Sequence, residues 1–305
     1  MRASTQSIRI KNYHPSLIIN VSAQWRFSRL ARIQQRMPAE LTYTLYANGK
    51  KVGKRTDMVQ VDSVAACPYA YVNAKGHIHS LAPFFVAYVN GNNPALDGIL
   101  KQAIKDGYVK QFDGYQANAA GVVQQVAAIW LVLQQRGIHY SNIAAPTVEP
   151  GKILYQRVRS VDQSLHSAQA NCVDGTVLFA SALEHIGIDC DLVHPPGHMF
   201  LRFYAAKSHQ MPLYLETTLL DAHAAVNSHL VNPVGKAFPW YDLRDRPFEA
   251  AIQCGCYEAA ALAKVVAGAK SMTAKEQLCS IISIAKARKF GISPIPALPT
   301  SADHR

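Results

Sequence analysis

Cysteine is scarce in this 305-residue chain, with six residues at positions 67, 172, 190, 254, 256 and 279. So few, scattered so widely, do not form a disulfide scaffold. Cys254 and Cys256 fall in a helical stretch, where residues two apart point away from each other, which argues against a metal pair. Most of these cysteines read as small buried hydrophobes. Long apolar runs are also missing: the apolar stretches are too short or too interrupted to span a bilayer, so no transmembrane segment is expected. The opening residues MRASTQSIRIKNYHP lack the apolar core of a secretory signal. A cytoplasmic location is expected, although signal-independent export would leave no trace in such a sequence. There is no internal repeat and no low-complexity tract, and no aromatic-interleaved RNA-binding motif appears.

Acidic residues are the other shortage, and it is local. Residues 1–55 contain eleven Lys or Arg and one acid, Glu40, whereas the remaining 250 residues hold twenty bases and nineteen acids. The net charge of +11 therefore describes an N-terminal segment. Such a segment suits an anionic partner (nucleic acid, a membrane surface or an acidic protein) or a solvated basic face.

Residues 8–72 contain the short extended runs IRIKNY, SLIINV, ELTYTLY and VQVDSV, with Asn48-Gly49 as a hairpin turn. Trp25 to Met37 interrupts them as a short basic amphipathic helix. The expected organisation is a basic β-rich module over 1–72, an α+β domain over 73–291, whose first residues, 73–83, act as a linker, and a loose tail over 292–305. Asn93-Pro94 opens a helix with the stripe Leu96, Ile99, Leu100 and Ile104, closed by Gly107. A second helix, Asn118 to Arg136, turns Val122, Val126, Ile129, Trp130 and Leu133 inward and stops at Gly137. Beyond Pro247 two more helices are expected. The second starts at Thr273 with Glu276 as a capping box and carries Lys286, Arg288 and Lys289 near its end.

The segment 171–220 carries the chemistry. Asn171 caps a helix from Cys172 to Ile186, with Val173, Val177, Leu178 and Leu183 mostly inward and Gly187 as its stop. Three extended runs follow, IDCDLV, HMFLRFY and PLYLETTLL, with little room for crossover helices, which favours an antiparallel α+β core. A cysteine at the first helical position sits beside unpaired N–H groups and the positive end of the helix dipole, which favour thiolate and can later hold an oxyanion. It needs an imidazole, and the imidazole needs a group to orient it. His198 begins a strand after Pro195-Pro196-Gly197, and Glu216 lies in the next strand, so the two can sit side by side if the strands are antiparallel neighbours. Asp191 and Asp221 are alternative acids. Asp174 balances the helix dipole. Gln169 and Asn171, just before the cysteine, are candidate oxyanion donors or supports, with capping the other role for Asn171.

The stretch QRVRSVDQSL…QANCVDGTVLFASALEHIGIDCDLVHPPGHMFLRFY…LETT resembles a bacterial transglutaminase-like domain of the papain-like cysteine protease superfamily. The shared landmarks are a cysteine opening a helix, Leu183 to Gly187 closing it, a histidine starting a strand, and an acid followed by a small residue on the next. FVAYVNGNNPALDGIL and QVAAIWLVLQQRGIHYSNI extend the likeness over roughly residues 60–290. The resemblance implies a Cys-bearing helix packed on an antiparallel sheet. It also implies Cys172 as nucleophile, His198 as base and Glu216 as third member, where that family usually has Asp.

His185, Cys190, His194 and His198 form a second constellation, but their spacings match no zinc finger or zinc-protease helix. No metal and no cofactor is called for. Two functions from different classes stand at this point. One is a cysteine hydrolase or acyl transferase (protease, deamidase or transglutaminase-like) acting on a peptide or glutamine amide of a protein or peptide substrate. The other is a non-catalytic papain-like binding module whose basic N-terminal segment docks an anionic partner.

Overall fold

The computed structural model describes residues 26–141, 147–148, 153–221, 247–271 and 279–297. The runs IRIKNY and SLIINV lie outside the described residues. The chain divides into two compact units, one ending at Val64 and the other running from Ala65 to Ala297. The division falls upstream of the boundary expected at residue 72, because the strand that follows it pairs within the larger unit.

In the first unit a single helical turn, α1 (Phe27–Leu30), precedes an antiparallel hairpin of β1 (Met37–Ala47) and β2 (Lys50–Val61). Asn48 and Gly49 both adopt positive φ, at 49° and 76°. That backbone matches the twist of a two-residue hairpin. The helix expected to reach Met37 stops at Leu30, and the chain is extended from Met37 onward.

The second unit opens with β3 (Ala66–Val72) and β4 (Ile78–Ser80), which pair with each other, so part of the expected linker is strand. A 3-10 turn over Ala82–Tyr88 leads to α2 (Ala95–Lys105) and α3 (Ala119–Gln135). Leu96 and Ile99 are buried, while Ile104 at the end of the expected stripe is exposed. On α3, Val122, Val126, Ile129, Trp130 and Leu133 are all fully buried. Next come β5 (His139–Tyr140), β6 (Thr147–Val148), β7 (Ile153–Arg157), α4 (Val161–Ser167) and β8 (Gln169–Ala170). Strands β4, β3, β7 and β6 form one sheet in that order, and β5 pairs with β8 in parallel.

Helix α5 (Cys172–His185) then packs on a second four-stranded sheet. That sheet has the order β11-β10-β9-β12, built from β9 (Cys190–His194), β10 (Phe200–Tyr204), β11 (Pro212–Leu215) and β12 (Ser280–Ser283). All its pairings are antiparallel. Helix α6 (Pro247–Gly268) lies against β11, and α7 (Ile284–Lys289) follows β12. The protein is thus a mixed helix–sheet, α+β structure.

Two expectations are corrected here. The last helix does not run through residue 280: Ile281 and Ile282 add a strand along β9, as β-branched residues favour, and Ser283 caps the short α7 instead. Thr273 and Glu276 lie outside the described residues. The tail is held as far as Ile295, whose N–H bonds Ala87 O at 2.7 Å and whose carbonyl accepts from Asn90 Nδ2 at 3.0 Å. Finally, Phe248–Gly268 is long and apolar enough to cross a membrane, by length and composition. In this fold one face of it is buried, along Ala251, Cys254, Glu258 and Leu262.

The approach of α6 to β11 depends on Gly255. A Cβ there would stand 2.7 Å from the carbonyl carbon of Tyr214 and 2.9 Å from Leu215 N, both backbone atoms that cannot rotate away. Alanine at this position gains helix propensity of about 1 kcal/mol, but overpacking costs about 1–3 kcal/mol. Gly255→Ala is therefore expected to lower the calorimetric melting temperature, by up to about 8 °C. A raised melting temperature would show that the helix can shift freely.

Candidate active site

Cys172 opens α5, and the start of that helix is locked before the thiol is reached. Asn171 Oδ1 accepts from Asp174 N at 2.9 Å, and Asp174 Oδ2 accepts from Asn171 N at 3.1 Å, completing a capping box. Asp174 is fully buried and also takes Arg159 N at 2.7 Å and Arg159 Nη1 at 2.6 Å. Its role is wider than balancing a dipole, since it ties the helix start to the chain that precedes α4. Gln169 Oε1 accepts from Arg159 Nη2 at 3.5 Å, and Asn171 acts as the cap.

His198 stands just before β10 rather than within it, at the end of a turn in which its N–H bonds Pro195 O at 3.2 Å and Gly197 has φ of 77°. Glu216 stands just after β11 and caps the 3-10 turn Thr217–Leu220. The antiparallel register of β10 and β11, with Leu201 opposite Leu215, brings the two together. His198 Nε2 lies 2.7 Å from Glu216 Oε2, and Cys172 is near enough to the same ring to raise its pKa. Neither alternative acid takes that place. Asp191 is occupied by Arg202 at 2.6 Å and by the Tyr204 hydroxyl at 2.7 Å, and Asp221 meets His139 at 2.7 Å.

One hydroxyl fixes the relation of all three segments. Thr176 Oγ1 lies 2.7 Å from Cys172 O, 3.3 Å from Met199 O and 3.4 Å from Thr217 Oγ1. Each of these partners is, or adjoins, one of Cys172, His198 and Glu216. Gly175 permits the contact, because a Cβ there would stand 2.8 Å from Thr217 Oγ1.

The electrostatics follow from burial and pairing. Glu216 is completely buried. Burial alone would raise its pKa, but the His198 charge and bonds from His198 and Thr218 outweigh that and hold it below the ordinary carboxylate value. Burial opposes charge on His198, yet Glu216 and the surrounding hydrogen bonds lift its pKa well above the ordinary imidazole value. Burial pushes the Cys67, Cys190, Cys254 and Cys279 thiols up, which fits their reading as inert core thiols.

Two residues at this site are not marked by the sequence motifs. Glu258 of α6 is buried, with Oε2 3.5 Å from His198 Nε2 and Oε1 3.7 Å from Cys254 Sγ. The signal for it is its place in the stripe Ala251, Cys254, Leu262, where a lone acid occupies a core position. Tyr140, on the two-residue β5 beside β8, feels the charges of Cys172, His198 and Glu216 and is 40% exposed, which puts it at the rim. Burial, the largest influence, raises its pKa.

Comparison with protein-family models, curated proteins and solved structures found no match. The chemistry is therefore read from the geometry alone.

The four-residue zinc constellation is dispersed. His185 bonds Gly91 O and faces Asp97, and Cys190 faces Ala180 O. His194 packs against Tyr69 and Phe85, with its pKa lowered to about 4 by burial and by His198. Among the described residues, His198, Glu216 and Glu258 do gather within 4.8 Å of one another. Two ligands at about 2.0–2.1 Å from one zinc stand roughly 3.3 Å apart. As it stands, the 2.7 Å contact between His198 and Glu216 is a short hydrogen bond.

The pH dependence of stability follows from two opposite shifts. Glu216 has a folded pKa below its unfolded one, so its contribution is present above the ordinary carboxylate range and lost as pH falls through the folded value. His198 has a folded pKa above its unfolded one, so its contribution is full below the ordinary imidazole range and lost as pH rises through the folded value. Glu216→Gln is expected to weaken the acid-side loss, to move the alkaline-side loss to lower pH, and to reduce neutral stability by about 2 kcal/mol. Denaturant titrations across pH measure all three, and an unchanged alkaline limb would sink the pairing.

Proposed function

We propose that this chain is a cysteine-nucleophile amide hydrolase or acyl transferase with a transglutaminase-like, papain-like core. Cys172 is its nucleophile, His198 its base and Glu216 the group that orients the base. The observation that carries this reading is that one imidazole is bonded to a fully buried carboxylate and has a helix-start cysteine beside it that raises its pKa. Glu216 takes Nε2, which leaves Nδ1 to serve the thiol and fixes the tautomer.

The thiol passes its proton to His198, and the thiolate sulfur attacks the carbonyl carbon of an amide. The oxyanion that forms is held by N–H groups at the start of α5 (Cys172 and Val173), since the Asp174 N–H is taken by the Asn171 cap. When the C–N bond breaks, the imidazolium gives its proton to the leaving amine, and a thioester to Cys172 remains. His198 then takes a proton from water or from an acceptor amine, whose oxygen or nitrogen attacks the thioester and releases the thiol. Water gives hydrolysis, as in a protease or deamidase, and an amine gives acyl transfer. Tyr140 stands at the rim where the substrate amide would enter.

A chloroacetamide probe tests this reading. Alkylation at Cys172 is expected to be faster than at Cys190 and to fall at least about 100-fold in His198→Ala. Labelling of Cys172 no faster than of Cys190 would overturn the assignment, because a thiol outside a cysteine–histidine pair has no such advantage.

A further inference from the structure

Glu258 belongs to no motif in the sequence, yet it places a second buried carboxyl on the same imidazole as Glu216. Its Oε2 is shielded from solvent and, taken as an anion, has no hydrogen-bond partner, although His198 Nε2 is 3.5 Å away. Glu216 is already supplied on its other sides. Thr218 N and Thr218 Oγ1 donate to Oε1 at 2.9 and 2.6 Å, and His198 donates to Oε2. Two buried anions facing one imidazolium would leave an uncompensated negative charge, and an unpaired buried carboxylate oxygen is expensive. Both problems disappear if Glu258 carries a proton, since an O–H there can turn to Glu216, whose carboxylate lies within 4.8 Å.

We propose that Glu258 is a positioning residue for the cysteine–histidine site: it is held as a neutral carboxylic acid whose O–H donates to Glu216 and keeps that carboxylate on the His198 ring. The inference rests on the cysteine-nucleophile reading for its catalytic meaning, but not for the proton itself. The titratable groups that face Glu258 are Glu216 from the end of β11, His198 from the turn before β10 and Cys254 from its own helix, with Cys172 bearing on it through the His198 ring. Burial, first, and the nearby Glu216 charge push the Glu258 pKa up, while His198 acts in the other direction and does not prevail.

Two measurements test this on the full chain. Infrared difference spectra of wild type against Glu258→Gln are expected to show, at neutral pH, the carbonyl band of one protonated carboxylic acid that the variant lacks. Chloroacetamide labelling of Cys172 is expected to slow roughly tenfold in Glu258→Leu, which fills the space but donates nothing. Glu258→Gln, whose amide N–H can still donate to Glu216, should recover most of that loss. Near-ultraviolet circular dichroism checks that both variants are folded, and the infrared comparison decides the matter if Glu258→Leu is not. The proposal is overturned if no acid band is lost, if Glu258→Gln is as slow as Glu258→Leu, or if Glu258→Leu labels like wild type. Stoichiometric zinc in purified wild type, absent from Glu258→Gln, would also overturn it. If Cys172 of the wild type reacts no faster than Cys190, the cysteine–histidine reading fails on its own, and the acid band still reports whether Glu258 holds its proton.

Discussion

A fully buried carboxylate, Glu216, is the constraint around which the larger unit is arranged. An isolated carboxylate in an apolar interior is heavily penalised, so it persists only if its oxygens are met by donors or a cation. Here one oxygen takes the Thr218 amide and hydroxyl, and the other takes His198. Those donors come from the 3-10 turn that Glu216 itself caps and from the turn before β10. The Glu216 N–H bonds Ala251 O at 3.1 Å, which ties the same residue to α6. A sheet edge, a turn and a helix therefore have to be in place together before the charge is tolerable.

The helices reach this point because two glycines let them. Gly175 brings α5 against Thr217, and Gly255 brings α6 against the Tyr214–Leu215 backbone, on either side of Glu216 in sequence. Thr176 then joins the Cys172, Met199 and Thr217 segments through one hydroxyl. A hydroxyl with three partners over this range can donate to only one at a time, so it serves as a register pin more than as a strong bond. The precision of the site comes from backbone approach and short polar pins on rigid elements, as positioning of reacting groups requires.

Local rules made part of this legible. Asn48-Gly49 marks the hairpin because its backbone is encoded in two residues, and Asn171 marks a helix start for the same reason. The Cys172, His198 and Glu216 set is readable because a helix-start cysteine and two strand-end residues all leave nearby signals. What escaped depends on distant sequence. Glu258 touches His198 from a helix sixty residues on, and Tyr140 arrives on a two-residue strand that exists only because β8 pairs with it. The expected helix does not run unbroken to Lys289, because Ile281 and Ile282 gain burial and ladder bonds by pairing with β9.

The identity of the third group has a chemical consequence beyond orientation. An anion on Nε2 favours the imidazolium, so in the proposed chemistry Glu216 would help His198 draw the proton from Cys172. The same effect opposes the next step, because an imidazolium held too tightly is a poor acid toward the leaving amine and a slow one to release its proton. A second ionised carboxylate on the ring would deepen that trap. On the proposed reading a neutral Glu258 adds no second charge and holds Glu216 against the ring by hydrogen bonding. Glu216 would then supply the charge that forms the ion pair, and Glu258 would keep that charge in place without deepening the trap, so that His198 can both accept and return the proton within one cycle.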